Sequence, residues 1–324
     1  MTGIDSDCYL SVIAPLWNDS DIVEPFVAEL MEALQGSFGN FEVVLVDDGS
    51  SDDTVARVSG LMERYERIRL IGLSRRFGQE IAISAGLDSV IGDFVAVMLP
   101  DSDPPRLVPE MVERARQGAE LVFGIRKGRV GDPLYLRLGA TAFYWYCNRL
   151  LRLDLPKDST HFRVMSRRVV NALIRIKDRG RYLRTLSQHV GYRSLGFPYE
   201  LKERRSNPRK KSFVEALDLA VNIVATNSLR PLRMVSWLAT LLAAANGIYV
   251  ATILVMDDWA WGSLQSGISF LFLFSILAVL CEYLGRVVDE SKGRPLYYVV
   301  EEKTSAMPLL ERARGNVVTE SEVK

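Results

Sequence analysis

Cysteine is scarce in this chain. Cys8, Cys147 and Cys281 are odd in number, far apart and without metal-ligand spacing, which excludes a disulfide framework and a cysteine-built metal site and fits a reducing compartment. Histidine is scarcer, with only His161 and His189 among 324 residues. Neither sign of charge is in excess: 40 Lys and Arg balance 40 Asp and Glu, so no global basic field points to a nucleic-acid partner. No GxGxxG or GxxxxGK(S/T) pattern follows any strand-like run, which argues against a dinucleotide dehydrogenase or a P-loop enzyme. The opening MTGIDSDCYL is acidic where a basic n-region would sit and has little apolar content, so a cleaved signal peptide is not expected.

What is present begins with two long uncharged runs. Met234 to Met256 carries no charged side chain over 23 positions, and Ser263 to Cys281 forms a second such run that Glu282 ends. Each is long enough as a helix to cross about 30 Å of hydrocarbon. The linker between them, DDWAWG, holds Trp259 and Trp261, residues suited to a membrane interface. Arg230 and Arg233 precede the first run, and Arg286, Lys292 and Arg294 follow the second. The positive-inside rule then places both termini in the cytoplasm. Upstream, SFVEALDLAVNIVATNSL has apolar residues at helical spacing, which suggests an amphipathic helix lying in the interface. The expected organisation is a cytoplasmic domain over 1–211, a juxtamembrane helix over 212–233, a two-helix transmembrane hairpin over 234–285 and a cytoplasmic tail over 286–324.

The first two hundred residues alternate strand and helix patterns. LSVIAP reads as a strand, Asp21 to Leu34 as a helix, FEVVLVDDGS as a buried strand entering a turn, and DDTVARVSGLMERY as a helix capped by Asp52 or Asp53. IRLIGLS, GQEIAISAGLDSV and DFVAVML continue as strand, helix and strand. This alternation predicts an α/β fold built on a doubly wound, mostly parallel sheet. Ligands in such sheets bind beyond the carboxyl ends of the strands. Three of those ends carry acidic loops: Pro15-Leu16-Trp17-Asn18-Asp19, Asp47-Asp48-Gly49-Ser50 and Leu99-Pro100-Asp101-Ser102-Asp103. Carboxylates converging on one edge suit Mg²⁺ or Mn²⁺ held together with substrate phosphates.

In order, SVIAPLWND, VLVDDGSSDDT, SRRFGQEIAISAGLD and the DSDPP segment resemble the family-2 glycosyltransferases of the GT-A fold. The tail EYLGRVVDESKGRPLYYV is similar to the ending of the polyprenyl-phosphate branch, which includes dolichyl-phosphate mannose synthase and bactoprenol glucosyltransferases. The resemblance spans roughly Ser11 to Val300. It implies a GT-A-like domain followed by the interfacial helix and two transmembrane helices. The implied activity is an inverting, metal-dependent transfer of a sugar from a nucleoside diphosphate sugar to polyprenyl phosphate, at the cytoplasmic leaflet of the inner membrane, with membrane lipids as partners. Relatives can assemble through their spans, so a homo-oligomer is compatible with it.

Residue by residue, the resemblance implicates Pro15, Asp19, Asp47, Asp48, Arg76 and Gly78 in nucleotide binding. The family's metal motif usually reads DADLQDPP, whereas this chain has the shorter LPDSDPP. Anchored on the strand GDFVAVM, Asp101 takes the metal-coordinating position, with Asp103 as helper; anchored on DPP, Asp103 becomes the last aspartate of the motif. Strand length favours the first register. DSTHFRVMSRR resembles GDFRLMSRR, whose acidic residue lies beside the acceptor; here His161 replaces it. A neutral imidazole could take a proton from the acceptor, and a charged one could pair with its phosphate. Arg163, Arg126, Lys127 and Arg205, the last within a basic run reaching Lys211, are the cations expected to meet the acceptor phosphate. The altered metal motif and His161 also leave open a nucleotide-binding membrane protein without transferase activity.

Overall fold

The computed structural model describes residues 5–127, 158–176, 182–183, 191–205, 262–291 and 295–305, with isolated positions elsewhere. Two units divide the chain: one comprises residues 1–144, 154–211 and 295–324, the other 145–153 and 212–294.

The first unit is built on an eight-stranded sheet ordered β7-β5-β6-β4-β1-β2-β3-β8. Its strands are β1 (Asp5–Leu16), β2 (Phe38–Asp47), β3 (Ile68–Leu73), β4 (Phe94–Val97), β5 (Leu121–Arg126), β6 (Ser159–Ser166), β7 (Ser194–Tyr199) and β8 (Val299–Thr304). β1 runs parallel to β2 and β4, and β2 to β3, while β6 and β8 are antiparallel to their neighbours. The expected mostly parallel sheet is therefore present. Its central strands are near-continuous apolar runs because helices cover both faces.

On one face lie α1 (Val23–Gln35), α2 (Thr54–Arg64) and α4 (Val108–Arg116). α1 turns Val23, Phe26, Val27, Leu30, Met31 and Leu34 inward, the spacing that brings one helical stripe onto a sheet. Together with Leu10, Val12, Val43, Leu45 and Phe162 they form the larger core. The other face packs α3 (Gln79–Ser89) and α5 (Arg167–Arg175) over Ile13, Val44, Val46, Val97 and Met165. Leu16, Asp47 and Gly72 are in register across β1, β2 and β3, so their loops emerge side by side at the carboxyl edge.

The opposite edge is tied by a buried polar network. Glu42, fully buried, accepts Ser11 Oγ at 2.6 Å, the Ile91 amide at 3.0 Å and Arg69 Nη1 at 3.0 Å. Arg69 also reaches Glu302 on β8 at 2.7 Å. Nearby, Arg167 donates to the carbonyls of Gly92 and Val90, and burial lowers its pKa.

The tail beyond Pro295 does not stand apart from the sheet. β8 pairs with β3 over Arg69↔Thr304 to Leu73↔Val299, and the Ile68 amide donates to Ser305 Oγ at 2.8 Å. The Ser74 amide donates to the Tyr298 carbonyl at 2.9 Å, and Tyr297 Oη to Asp88 Oδ2 on α3 at 2.8 Å. Local patterning predicts no strand here, since VVEEKT is exposed throughout and its pairing is wholly long-range.

In the second unit, α6 (Gly262–Ser291) is 30 residues long, or roughly 45 Å, and runs past the expected boundary at 285. Phe270, Leu273, Leu277, Leu280, Leu284 and Val287 are exposed along it. Among the described residues no helix is long and apolar enough to cross a membrane. The second expected span coincides with α6, many of whose side chains lie outside the described residues, as do most of the first span, the interfacial helix over 212–233, the tryptophan-bearing linker and the basic residues Arg209, Lys210 and Lys211.

Candidate active site

The loops after β1 and β2 lock together. Asn18, at φ +48°, accepts the Ser51 amide at 2.8 Å through Oδ1 and gives its own amide to Ser50 Oγ at 2.9 Å. Asp52, rather than Asp53, accepts the Thr54 amide at 3.0 Å and also the Ser20 amide at 3.2 Å. Hydrogen bonds from the Thr54 hydroxyl and from Ser20, with these amides, hold its carboxyl down at about 2 against the opposing effect of burial.

Asp48 spans the gap to the segment after β3. Its Oδ1 accepts the Phe77 amide at 2.7 Å and its Oδ2 the Gly78 amide at 2.8 Å. Burial raises its pKa against those two bonds, and that of neighbouring Asp47 likewise. Asp47 accepts the Ser50 amide at 3.1 Å. Gly49 is required between strand and turn: it sits at φ +65°, and a Cβ there would stand 2.6 Å from the Arg75 carbonyl carbon. The guanidinium of Arg76 stacks 3.4 Å from the Trp17 ring centroid, a cation–π contact bridging the β1 and β3 loops. Pro15, Asp47, Asp48, Arg76 and Gly78 thus lie on or beside three adjacent strand ends, with Pro15 in register with Val46. Asp19 joins them but is engaged: Oδ2 accepts the Trp17 amide at 2.8 Å, and Oδ1 pairs with Arg205.

After β4 the two candidate metal ligands part company. Asp103 is 1% exposed; its Oδ2 accepts the Leu99 amide at 2.7 Å and its Oδ1 lies 2.6 Å from Tyr199 Oη. It folds the 99–103 loop back on itself. Burial pushes its carboxyl up to about 7, and burial beside Asp103 raises the Tyr199 phenol. Asp101 is exposed and accepts Ser102 Oγ at 2.8 Å. The loop is braced from 202–205, where the Arg204 amide donates to the Asp101 carbonyl at 3.0 Å and Arg204 Nη1 to the carbonyls of Pro100 and Asp103 at 2.8 Å.

On β6, His161 meets a residue that sequence reasoning passed over. His161 Nε2 lies 2.7 Å from Glu80 Oε1, in the first turn of α3, and Glu80 Oε2 accepts the Leu183 amide at 3.1 Å. Arg163 departs from expectation. It is 1% exposed and gives Nη1 to the Leu183 carbonyl at 3.0 Å and Nη2 to the Thr160 carbonyl at 2.7 Å. That burial turns it away from a phosphate and into a brace for two backbone segments. Arg126 and Lys127 end β5, where their amides donate to the carbonyls of Asp158 and Tyr199 at 3.0 and 2.8 Å; Lys127 is exposed and Arg126 half-buried. Arg205 reaches the nucleotide side, donating to the Asn18 carbonyl at 2.9 Å and pairing with Asp19.

Residues 11–174 match the profile of Glycosyl transferase family 2. The chain belongs to that family. It is 32% identical over 299 residues to an uncharacterized glycosyltransferase of Synechocystis, spanning 90% of this chain and 94% of that one. The bactoprenol glucosyl transferase of Shigella phage SfV is 28% identical over 304 residues, 91% of this chain and 99% of its own. The undecaprenyl-phosphate 4-deoxy-4-formamido-L-arabinose transferase of an Enterobacter is 26% identical, 92% of this chain and 95% of its own. These relatives bear out the resemblance to the polyprenyl-phosphate branch. Among solved structures, glucosyl-3-phosphoglycerate synthase of Mycobacterium tuberculosis, in complex with Mn²⁺, UDP and phosphoglyceric acid, shares the fold: TM-score 0.50 and 20% identity over 68% of this chain and 77% of that one.

For a glycosyltransferase the division between Asp101 and Asp103 has a chemical consequence. Among the described residues no group of three or more acidic, histidine or cysteine side chains could hold a metal ion. A site with one accessible carboxylate suits Mg²⁺ or Mn²⁺ only when substrate phosphates complete the coordination. Asp103 is also expected to make stability depend on pH. Its folded pKa of about 7 lies above the ordinary aspartate value, so between roughly pH 4 and 7 the folded chain holds a proton that the unfolded chain has lost. Stability therefore falls as pH rises through that window, by up to about 4 kcal/mol. Asp103→Asn, neutral at every pH, removes that slope. Chemical unfolding of both proteins at pH 5, 6, 7 and 8 with chelator present checks this: parallel pH profiles would refute it.

Proposed function

We propose that the protein transfers one sugar, with inversion, from a nucleoside diphosphate sugar to a polyprenyl phosphate at the cytoplasmic face of the inner membrane. The observation that carries the reading is the extent of the likeness to the bactoprenol glucosyl transferase, which covers 91% of this chain and so reaches well beyond the matched glycosyltransferase segment of 11–174.

The loops fixed by Asp47, Asp48 and Gly78 receive the nucleoside, with the Trp17–Arg76 stack beside it. Asp101 and the donor's diphosphate together hold Mg²⁺ or Mn²⁺, which supplies charge neutralisation to the departing diphosphate. Arg126 and Lys127, at the end of β5, bind the acceptor phosphate by charge-assisted hydrogen bonds. An oxygen of that phosphate attacks the anomeric carbon from the face opposite the diphosphate, and the bond from that carbon to the diphosphate oxygen breaks. Arg205 serves the nucleotide side, through Asp19, rather than the acceptor. The runs 234–256 and 263–281 span the bilayer as a hairpin, with 212–233 in the interface. They hold the reactive domain where its water-insoluble acceptor is concentrated, a proximity effect.

Purified protein incubated with polyprenyl phosphate, Mg²⁺ or Mn²⁺ and a panel of labelled nucleotide sugars will move label into the organic phase with one donor. Nucleotide binding with no lipid-linked label from any donor would overturn the reading and favour a non-catalytic nucleotide-binding protein.

A further inference from the structure

In the first unit, large apolar side chains at the surface are few. Among the described residues they are Leu195, 39% exposed, and a run of three at the entry to β8: Tyr298, Val299 and Val300, at 55%, 47% and 73%. Scattered singly such residues are ordinary, but three in succession on the outermost strand leave an adhesive edge. The run is held in place by β3. The Ser74 amide donates to the Tyr298 carbonyl, and Val299 is in register with Leu73, the last residue of β3. It therefore sits at the carboxyl edge of the sheet, the edge that carries Asp48 and Asp101. One residue past Ser74, Arg75 is exposed. Its guanidinium lies 4.9 Å from the Phe77 ring centroid, and it makes no ion pair among the described residues. The acidic residues that follow the run already have partners, Glu301 in Lys303 and Glu302 in Arg69, each at 2.7 Å. An apolar and aromatic tip beside an uncommitted cation is the chemistry of a surface that meets anionic lipid.

We propose that this corner, Arg75 with Tyr298, Val299 and Val300, rests on the anionic headgroups of the bilayer and seats the glycosyltransferase domain there. The inference rests on the membrane hairpin proposed above and goes beyond it by naming the part of the catalytic domain that touches lipid. Chain length makes the contact possible. α6 ends at Ser291 and β8 begins at Val299, so the corner is tethered within about 28 Å of the end of α6. The link between them contributes Lys292 and Arg294, which add to the same positive field. The ladder to β3 skips Val300 between Gly72 and Leu73. Such a bulge blunts a sheet edge against pairing with another strand, while it leaves the tip free to enter a fluid interface. Seated this way, the carboxyl edge of the sheet faces the leaflet in which the acceptor phosphate lies.

The test uses the full chain in nanodiscs of phosphatidylcholine, with or without phosphatidylglycerol. Cys147 and Cys281 are replaced by Ala, Cys8 being buried, and an environment-sensitive dye is attached at Val300→Cys. The control site is Arg168→Cys on α5, whose side chain is 83% exposed and which starts at the opposite edge, where Ser166 is in register with Phe94. A nitroxide quencher carried on lipid should dim the dye at 300 and not at 168. The loss should be greater with phosphatidylglycerol present and should shrink as salt is added. Arg75→Glu should lower the docked-to-undocked ratio roughly fivefold to tenfold on the anionic discs, and Arg75→Lys should retain it. If the dye at 300 is quenched no more than at 168 while the chain resists alkaline extraction, the inference fails and the hairpin reading stands. Quenching at 300 that ignores both phosphatidylglycerol and Arg75→Glu also overturns it. Energy transfer between the 300 sites of two chains, without quenching from lipid, would assign the edge to a second copy instead. If alkaline extraction releases the chain, the hairpin reading fails and takes this inference with it.

Discussion

Asp101→Ala is expected to lower sugar transfer by roughly 10³-fold while leaving the protein folded. The size follows from removing a carboxylate that helps stabilise developing diphosphate charge, where losing one well-placed electrostatic contact costs about 3–4 kcal/mol. The foldedness follows from its surroundings: the Asp101 side chain is exposed and touches Ser102, whereas the loop is held by its backbone and by Arg204. Thermal unfolding should therefore match wild type within a degree or two. Equilibrium binding of the nucleotide without divalent ions should also be nearly unchanged, because the Asp48 bridge is intact. Turnover near the wild-type rate would remove Asp101 from the chemistry. If Asp103→Asn were the inactive variant instead, the register anchored on DPP would be the right one.

Arg69→Met should be the most damaging change away from the site. It strips the guanidinium from Glu42, whose carboxylate is fully buried, and breaking one side of a buried ion pair costs about 3–5 kcal/mol. It also releases Glu302 and so loosens β8. Differential scanning calorimetry should show the melting temperature down by roughly 10 °C for a domain of this size. Glu42→Gln placed on top of Arg69→Met should recover a good part of the loss, since the stranded charge is then gone. A double variant as unstable as the single one would show that the cost is packing of the arginine stem rather than burial of an unpaired carboxylate.

Much of the sheet was readable because it is local. β1, β2, β3 and β4 are apolar runs ending in polar turns; α1, α2 and α4 then point one stripe inward, while α3 buries the continuous run from Ala82 to Leu87. The nucleotide edge was readable for the same reason: Asp47, Asp48 and Gly49 follow a buried strand directly. The partners of these residues were not. Glu80 in a first helical turn looks like an ordinary response to the helix dipole, and nothing near it in sequence announces His161. Tyr199 could not be matched to Asp103 across 96 positions. Arg163 misled because sequence offers no way to tell a buried guanidinium spent on carbonyls from one aimed at a phosphate; only the packing of β6 against its neighbours decides. The loop-folding bonds of Asp103 were hidden for a related reason, since a carboxylate folding a loop and one binding a metal look alike in a motif.

The docking of β8 on β3 bears on how the protein is made. The amide of Ile68 waits for the hydroxyl of Ser305, 237 positions later, and the β3 edge stays open until those residues have left the ribosome. Both long apolar runs are synthesised before that happens. The glycosyltransferase sheet can thus begin folding early, as N-terminal segments do, but it closes only after the apolar part of the chain has been synthesised. A copy truncated after α6 would keep every residue named in the transfer reaction and still display a bare strand edge open to pairing with other chains.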